Sequence, residues 1–512
     1  MQILLVYPHY PATFWSFRYA MKFIGRKASF PPLGLLTVAA MLPDTWQKRL
    51  IDMNVRPLTD KDLRWADYVF ISAMSIQRQS AREVIERCRR LGVKTVAGGP
   101  LFTACHDEFP EVDHLMLGEG EITLPLFLED WRRGAPRRIY AAEGWAQLKQ
   151  TPVPLWDLVA MKDYAAMNIQ YGRGCPFDCE FCDITALFGR KPRGKSSAQL
   201  IAELESLYVR GWRGAVFFVD DNFIGDKPRL KREVLPAITD WMAARAYPFY
   251  FYTEASIDLA DDPQLLGLMV RAGFEEVFIG IETPHEEGLV ESGKMQNKNR
   301  DLLASVKRIQ QAGLQVHGGF IVGFDSDPAT IFDLQIRFIQ ESGIVTAMVG
   351  VLSALRGTRL YQRLEREGRL LKDSSGNNTA IDLNFVPRME PAALLAGYQK
   401  ILDTIYAPKQ YYRRVRKLFQ DYRPRPQGRF HLQQGYIGAL VKSMLLLGVV
   451  GRERLHFWRL VFWALLRKPR LFPLAITYAV YGYHFRKVAE KIRARGKFED
   501  NGGWEQKDGQ VA

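Results

Sequence analysis

Three of the chain's five cysteines, Cys175, Cys179 and Cys182, fall within eight residues in the segment GRGCPFDCEFCDI. This crowding constrains the fold most, because three thiols on one short loop need a rigid framework on either side to aim them. The spacing suits metal ligation in a reducing compartment better than a disulfide framework. Three thiolates on one loop can hold three irons of a cubane iron–sulfur cluster and leave the fourth iron open to a small molecule. A structural zinc site normally takes four ligands, often as two paired C-x2-C or C-x2-H units. No second pair is present, and the remaining Cys88 and Cys105 read as small buried or surface residues.

The framework is legible around the loop. An apolar run at 167–171 precedes it, and further runs recur at 215–219, 249–253, 276–281, 316–322 and 345–351, separated by segments of helical spacing such as 197–210 and 301–312. Six strand–helix units with right-handed crossovers predict a partial (β/α)6 barrel with its chemistry at the carboxyl ends of the strands. Upstream, apolar runs at 2–7, 68–72, 95–97 and 114–117 alternate with helical stretches, one of which aligns Ala81, Val84, Ile85 and Cys88. That alternation predicts an α/β doubly wound parallel sheet whose ligand lies beyond the carboxyl ends of its strands. The expected division is a doubly wound domain at 1–140, a linker at 141–160 marked by Pro152 and Pro154, the barrel at 161–384, a helical region at 385–490 and a polar tail at 491–512. A chain of 512 residues needs more than one core, and its 47% hydrophobic content can fill several.

The net charge of +14 is entirely C-terminal: residues 1–400 hold 48 basic and 48 acidic side chains, whereas 401–512 hold 22 and 8. A basic face meets nucleic acid or anionic lipid. Here the charges are interleaved with GYIGALVKSMLLLGVV at 435–450 and WRLVFWALLRKPRLFPLAITYAVYGY at 458–483, both too short or too interrupted to span a bilayer. Trp458, Phe462, Trp463 and neighbouring arginines fit a helix lying in the lipid interface, and the aliphatic run at 444–450 would be wasted on RNA. The competing reading makes the same residues core that caps the barrel. The start, MQILLVYPHY, has no secretory pattern, so a cytoplasmic protein, peripheral at the inner face of the membrane, is expected.

The cysteine motif closely resembles that of the radical SAM superfamily, in which the open iron of a 4Fe-4S cluster chelates S-adenosylmethionine and its reductive cleavage releases a 5'-deoxyadenosyl radical. Polar residues follow the barrel strands at Val219-Asp220-Asp221-Asn222, Thr253-Glu254, Gly280-Ile281-Glu282 and Gly323-Phe324-Asp325. Each can be a helix cap. As a set they resemble the superfamily's S-adenosylmethionine-binding elements, which makes Asp220, Asp221, Glu254, Glu282 and Gly323 the candidates; Gly318 and Gly319 would let backbone approach adenine.

Upstream, Phe30-Pro31-Pro32-Leu33-Gly34-Leu35-Leu36, Ile71-Ser72-Ala73-Met74-Ser75, Gly98-Gly99-Pro100 and Gly118-Glu119-Gly120-Glu121 resemble the cobalamin-binding domain fused to one branch of these enzymes. The resemblance implies cobalamin contacts at Ser72, Ser75, Gly98, Gly99, Gly118 and Glu119, although sheets of this kind also take flavins and nucleotides. The histidine motif D-x-H-x-x-G is absent and the corresponding region reads Asp52-Met53-Asn54-Val55-Arg56, so no histidine is expected on cobalt.

CDITALFGRKPRGKS, FFVDDNFIG, TEASIDLADDP, GIETP and GGFIVGFDSD further resemble the group of cobalamin-dependent radical SAM methyltransferases that contains the hopanoid C2 methylase. The resemblance implies methylation of an unactivated carbon of a hydrophobic, hopanoid- or isoprenoid-like lipid. One S-adenosylmethionine would supply the methyl group through cobalamin and a second the radical that removes a substrate hydrogen, with electrons from a flavodoxin- or ferredoxin-type donor. A cobalamin-dependent cyclase or oxidase, and a membrane-associated iron–sulfur electron carrier, are the alternatives.

Overall fold

The computed structural model describes residues 1–381, 383–424 and 434–500. Strands β1 (Gln2–Tyr7), β2 (Gln47–Asp52), β3 (Tyr68–Ser72), β4 (Lys94–Gly98), β5 (His114–Leu117) and β6 (Ile139–Ala141) form one parallel sheet in the order β2-β1-β3-β4-β5-β6. Ile3, Leu4, Leu5 and Val6 are at most 1% exposed, because helices cover both faces and an unbroken apolar strand has no wet side. The helix Arg78–Leu91 buries Ala81, Val84, Ile85 and Cys88, the stripe that the sequence aligns. Winding reverses between β1 and β3, so the ligand crevice lies beyond their carboxyl ends. The two strands that the apolar runs do not reveal, β2 and β6, are the edges. Charge is tolerated there, as in Gln47-Lys48-Arg49 of β2.

The second sheet follows β7 (Met167–Ile169) and a small antiparallel pair, β8 (Gly172–Arg173) with β9 (Arg193–Gly194). Strands β10 (Gly214–Phe218), β11 (Phe249–Ala255), β12 (Phe274–Glu282), β13 (Gln315–Val322) and β14 (Ala347–Val351) complete the parallel order β14-β13-β12-β11-β10-β7 of an open barrel. The strand period of two sorts the residues. Val216, Phe218, Phe251, Val277 and Ile279 enter the main hydrophobic core, whereas Phe217, Tyr252 and Phe278 line the lumen.

The segment at 141–160 is a packed strap between the two sheets. Trp156 is 1% exposed and its indole donates to Ser206 Oγ at 3.1 Å, while the Leu155 amide donates to the Leu36 carbonyl at 3.0 Å. Beyond the barrel, helices Pro391–Ile405, Pro408–Asp421, Gln434–Ser443, Arg454–Arg467 and Phe472–Asp500, with a π-helical stretch at Met444–Val450, form the C-terminal region. The last helix runs past residue 490 into the expected polar tail, of which 501–512 lie outside the described residues.

This region supplies much more core than an interfacial helix would. Phe457, Leu460, Val461 and Ala464 are buried, Tyr478 donates to Gln315 Oε1 at 2.7 Å at the start of β13, and Arg414 is buried with Nη1 on the Ile405 carbonyl at 2.8 Å. Two of the expected interfacial anchors are turned inward: Trp458 donates to the Gly448 carbonyl at 2.9 Å, and Trp463 stacks on Phe419. The opposite face stays open, with Leu455, Phe462 and Leu466 at 68%, 57% and 81% exposure. Among the described residues, no helix is long and apolar enough to cross a membrane.

Candidate active site

The cysteine loop leaves β7 and is pinched at its base by the β8–β9 pair. Gly174 must be glycine there: its φ is +89°, and a Cβ would lie 2.9 Å from the Lys191 carbonyl oxygen. Asp220, past the end of β10, is buried and accepts from the amides of Tyr171, at 3.0 Å, and Gly172. Asp221 accepts from the Gly174 amide at 3.1 Å. Burial pushes Asp220 up to about 8 and Asp221 to about 6, against the pull of those amides. Both aspartates therefore hold the backbone that carries the thiols. Each Asp220 oxygen accepts one of these amides and keeps a lone pair for a further donor.

Around the cysteines the structure gathers Glu254, at the end of β11, and Glu282, which ends β12. Burial pushes Glu254 up to about 8, with the charge of Asp221 adding and that of Lys294 opposing. Glu282 has φ +62°, a strained value for a residue with a side chain, and accepts from Lys294 Nζ at 2.8 Å. Burial opposes the charge on Lys294, but Glu282 and then Cys179 hold its pKa above the usual lysine range. Asn222 directs Nδ2 at Cys175 Sγ from 4.0 Å, and Gln296 directs Nε2 at Cys179 Sγ from 3.9 Å. Lys294 and Gln296 carry no motif and belong to the loop after β12; Asn222 stands in the quoted VDDN but reads as a cap.

Gly323 follows β13; its amide donates to Asp327 Oδ2 at 2.8 Å, and a Cβ would face Leu394 of the helix Pro391–Ile405 at 3.2 Å. Gly319 makes room for the Phe278 ring, 2.7 Å from where its Cβ would be.

In the first domain Ser72, Gly98 with Gly99, and Gly118 stand at the carboxyl ends of β3, β4 and β5, with Ser75 on the turn after β3. Glu119 points elsewhere. Its carboxylate is 1% exposed and bridges Arg173, at 2.9 Å, and Arg193, at 3.0 Å, while Glu121 takes Arg173 at 2.8 Å. Glu119 thereby ties this domain to the cysteine loop, with both oxygens on guanidinium groups.

Residues 24–128 match the B12 binding domain, 169–331 the Radical SAM superfamily, and 358–497 a domain of unknown function, DUF4070. An uncharacterized methyltransferase of Synechocystis sp. is 42% identical over 96% of this chain and 93% of its own length. The hopanoid C-2 methylase of Rhodopseudomonas palustris is 33% identical over 91% of this chain and 90% of its own. The chain belongs to the cobalamin-dependent radical SAM methyltransferases.

Solved structures agree at the level of fold. The cobalamin-dependent S-adenosylmethionine radical enzyme OxsB superposes with a TM-score of 0.62 over 98% of this chain and 81% of its own, at 16% identity. The methyltransferase TsrM from Kitasatospora setae gives 0.58 over 97% and 99%, at 14% identity. The cofactors of this radical SAM methyltransferase are a four-iron, four-sulfur cluster, S-adenosylmethionine and cobalamin. Its residues fit them. Three thiols face two amide donors and a buried ammonium, an anion-stabilising set. Among the described residues no three His, Cys, Asp or Glu side chains are placed to hold one metal ion. A cubane asks for something different, one thiolate on each of three irons.

Proposed function

We propose that this enzyme methylates an unactivated carbon of a hydrophobic, hopanoid- or isoprenoid-like lipid while docked on the inner face of a membrane. The observation that carries the reading is a cavity of about 340 Å³ in the barrel lumen, walled by Trp15, Phe30, Phe217, Tyr252 and Phe278. Water is poorly accommodated against such walls, and a flat or branched hydrocarbon is well accommodated. The likeness to the hopanoid C-2 methylase over nearly its whole length supports the same class of substrate.

When bound, the cofactors supply a 5'-deoxyadenosyl radical and a transferable methyl group. The chain supplies placement. Cys175, Cys179 and Cys182 hold three irons, Asp220 and Asp221 fix the loop that carries them, and Glu254 receives the methionyl ammonium. Lys294, turned toward the thiolates and Glu282, balances the charge of the site. Ser72, Ser75, Gly98, Gly99 and Gly118, at and just beyond the carboxyl ends of β3, β4 and β5, would hold the corrin. The apolar lumen keeps water from the substrate radical. A flavodoxin- or ferredoxin-type protein delivers the electron.

Membrane docking is supported by the exposed face of Arg454–Arg467, where Leu455, Phe462, Leu465 and Leu466 alternate with Arg459 and Arg467. Anaerobic incubation of the reconstituted enzyme with S-adenosylmethionine, cobalamin and bacterial membrane lipid tests the proposal. A lipid heavier by one CH2 is expected, with no product and no 5'-deoxyadenosine from Cys179→Ala. A lipid that loses hydrogen without gaining carbon would instead identify a cyclase or oxidase.

A further inference from the structure

Besides Arg26, Ser29, Thr253, Thr477 and tyrosine hydroxyls, the mostly apolar lining of the lumen holds one close pair of titratable side chains. Glu276 on β12 and His317 on β13 both line the cavity, with Oε2 and Nε2 3.5 Å apart. His317 is 8% exposed, and its Nε2 makes no hydrogen bond. A buried, unpartnered nitrogen costs about 1–3 kcal/mol, so its retention in a cavity calls for a ligand atom. Resting on the lipid reading above, we infer that Glu276 and His317 bind the single uncharged polar group, a hydroxyl, of an otherwise apolar substrate, which enters the barrel from its amino-terminal end with its reacting carbon leading.

The pair reads a neutral group. Burial pushes Glu276 up to about 8, with Glu275 adding, and pushes His317 down to about 4. At pH 7 an uncharged acid therefore faces an uncharged imidazole, a donor and an acceptor together, which suits an alcohol; the cation of the lining, Arg26, donates to the Lys162 carbonyl and is not part of the pair.

Position gives the direction of entry. Along the lumen face of β12 the residues in order are Glu276, Phe278, Gly280 and Glu282, and Glu282 meets Lys294 beside the cysteines. At about 3.3 Å per residue the polar pair lies roughly 20 Å below that end. Trp15, with its ring 4.9 Å from Phe278, and the Phe217–Tyr252 stack at 4.8 Å occupy the interval. A hydrocarbon skeleton of roughly 15–20 Å, anchored at Glu276 and His317, matches in length the distance along β12 to Glu282.

The mouth lies where the helix Arg18–Ile24 meets Gln434–Ser443, since Ile24 and Ile437 line the cavity and are 36% and 65% exposed. Ile437 begins a strip that continues with Val441 and Leu445, exposed 51% and 55% at helical spacing. The opening is thus continuous with an apolar surface of the region proposed to touch the membrane, and the hydroxyl of an entering lipid stays nearest to that surface.

The test is equilibrium binding of radiolabelled geranylgeraniol, and of the hydrocarbon with the same skeleton, to the full-length reconstituted enzyme in detergent. The wild type should prefer the alcohol about fivefold, the value of one neutral hydrogen bond. His317→Leu should lose the preference, while His317→Gln, which keeps a polar end, should retain part of it; circular dichroism verifies that each variant is folded. Ala439→Trp, at the mouth, should slow association of both ligands. Equal binding of alcohol and hydrocarbon by the wild type would overturn the anchor and leave the lipid reading standing. Failure of both skeletons to bind would remove the lipid reading and the anchor with it.

Discussion

Glu119, Glu121, Arg173 and Arg193 show how much a buried charge depends on its partner. Glu119 is 1% exposed and Arg173 12%, so removing the carboxylate leaves Arg193 without a carboxylate and Arg173 with Glu121 alone between the cobalamin domain and the cysteine loop. Glu119→Ala should therefore cost about 3–5 kcal/mol in urea unfolding. By contrast Glu129→Ala, which releases Arg133 from a pair whose side chains are 55% and 68% exposed, should cost less than about 0.5 kcal/mol. Equal effects would contradict the assignment of Glu119 to the domain tie. Glu276 gives a prediction in pH. Its folded pKa of about 8 lies above the ordinary 4.5, so its contribution is complete below pH 4.5 and is lost as pH rises to 8. The stability of the wild type minus that of Glu276→Gln should fall across that window and level off above it. A difference that rises with pH would place the proton wrongly.

Helices with two faces decide where the protein meets its surroundings. Arg454–Arg467 buries Phe457, Leu460, Val461 and Ala464 and exposes Leu455, Phe462 and Leu466. Replacing those three exposed residues with Ser should reduce co-sedimentation with anionic vesicles and lower the thermal transition only slightly, through the lost Phe462–Trp458 stack; undiminished vesicle binding by the folded triple variant would rule this face out. The same helix marks the limit of the sequence. Its aromatic residues and arginines are legible, but composition does not say which side of the helix faces the barrel, so Trp458 and Trp463 read as interfacial although they are tied inward. The buried strands of both sheets are legible as apolar runs, and the edges β2 and β6 are not, because an edge strand can carry Lys48 and Arg49 without penalty. In the site, the three cysteines announce themselves by spacing. Lys294 and Gln296 reach them from a loop whose path only the folded barrel determines, and the two amides that Asp220 accepts from are seen only in the fold.

For the whole molecule, charge and apolar surface are segregated along the chain. The first 400 residues are electrically balanced and build two parallel sheets, with the tie through Glu119 setting one against the cysteine loop of the other. The remaining residues carry the net positive charge, close the amino-terminal end of the barrel and present an apolar strip beside its mouth. In the proposed arrangement, cofactor chemistry lies at one end of the lumen and lipid entry at the other. The most direct measurement uses S-adenosylmethionine with a deuterated methyl group in an anaerobic reaction with membrane lipid. The account predicts a lipid that gains one labelled methyl in place of hydrogen, with 5'-deoxyadenosine and S-adenosylhomocysteine formed in step. Cluster reduction without consumption of S-adenosylmethionine, or consumption with no label in any lipid, would contradict it.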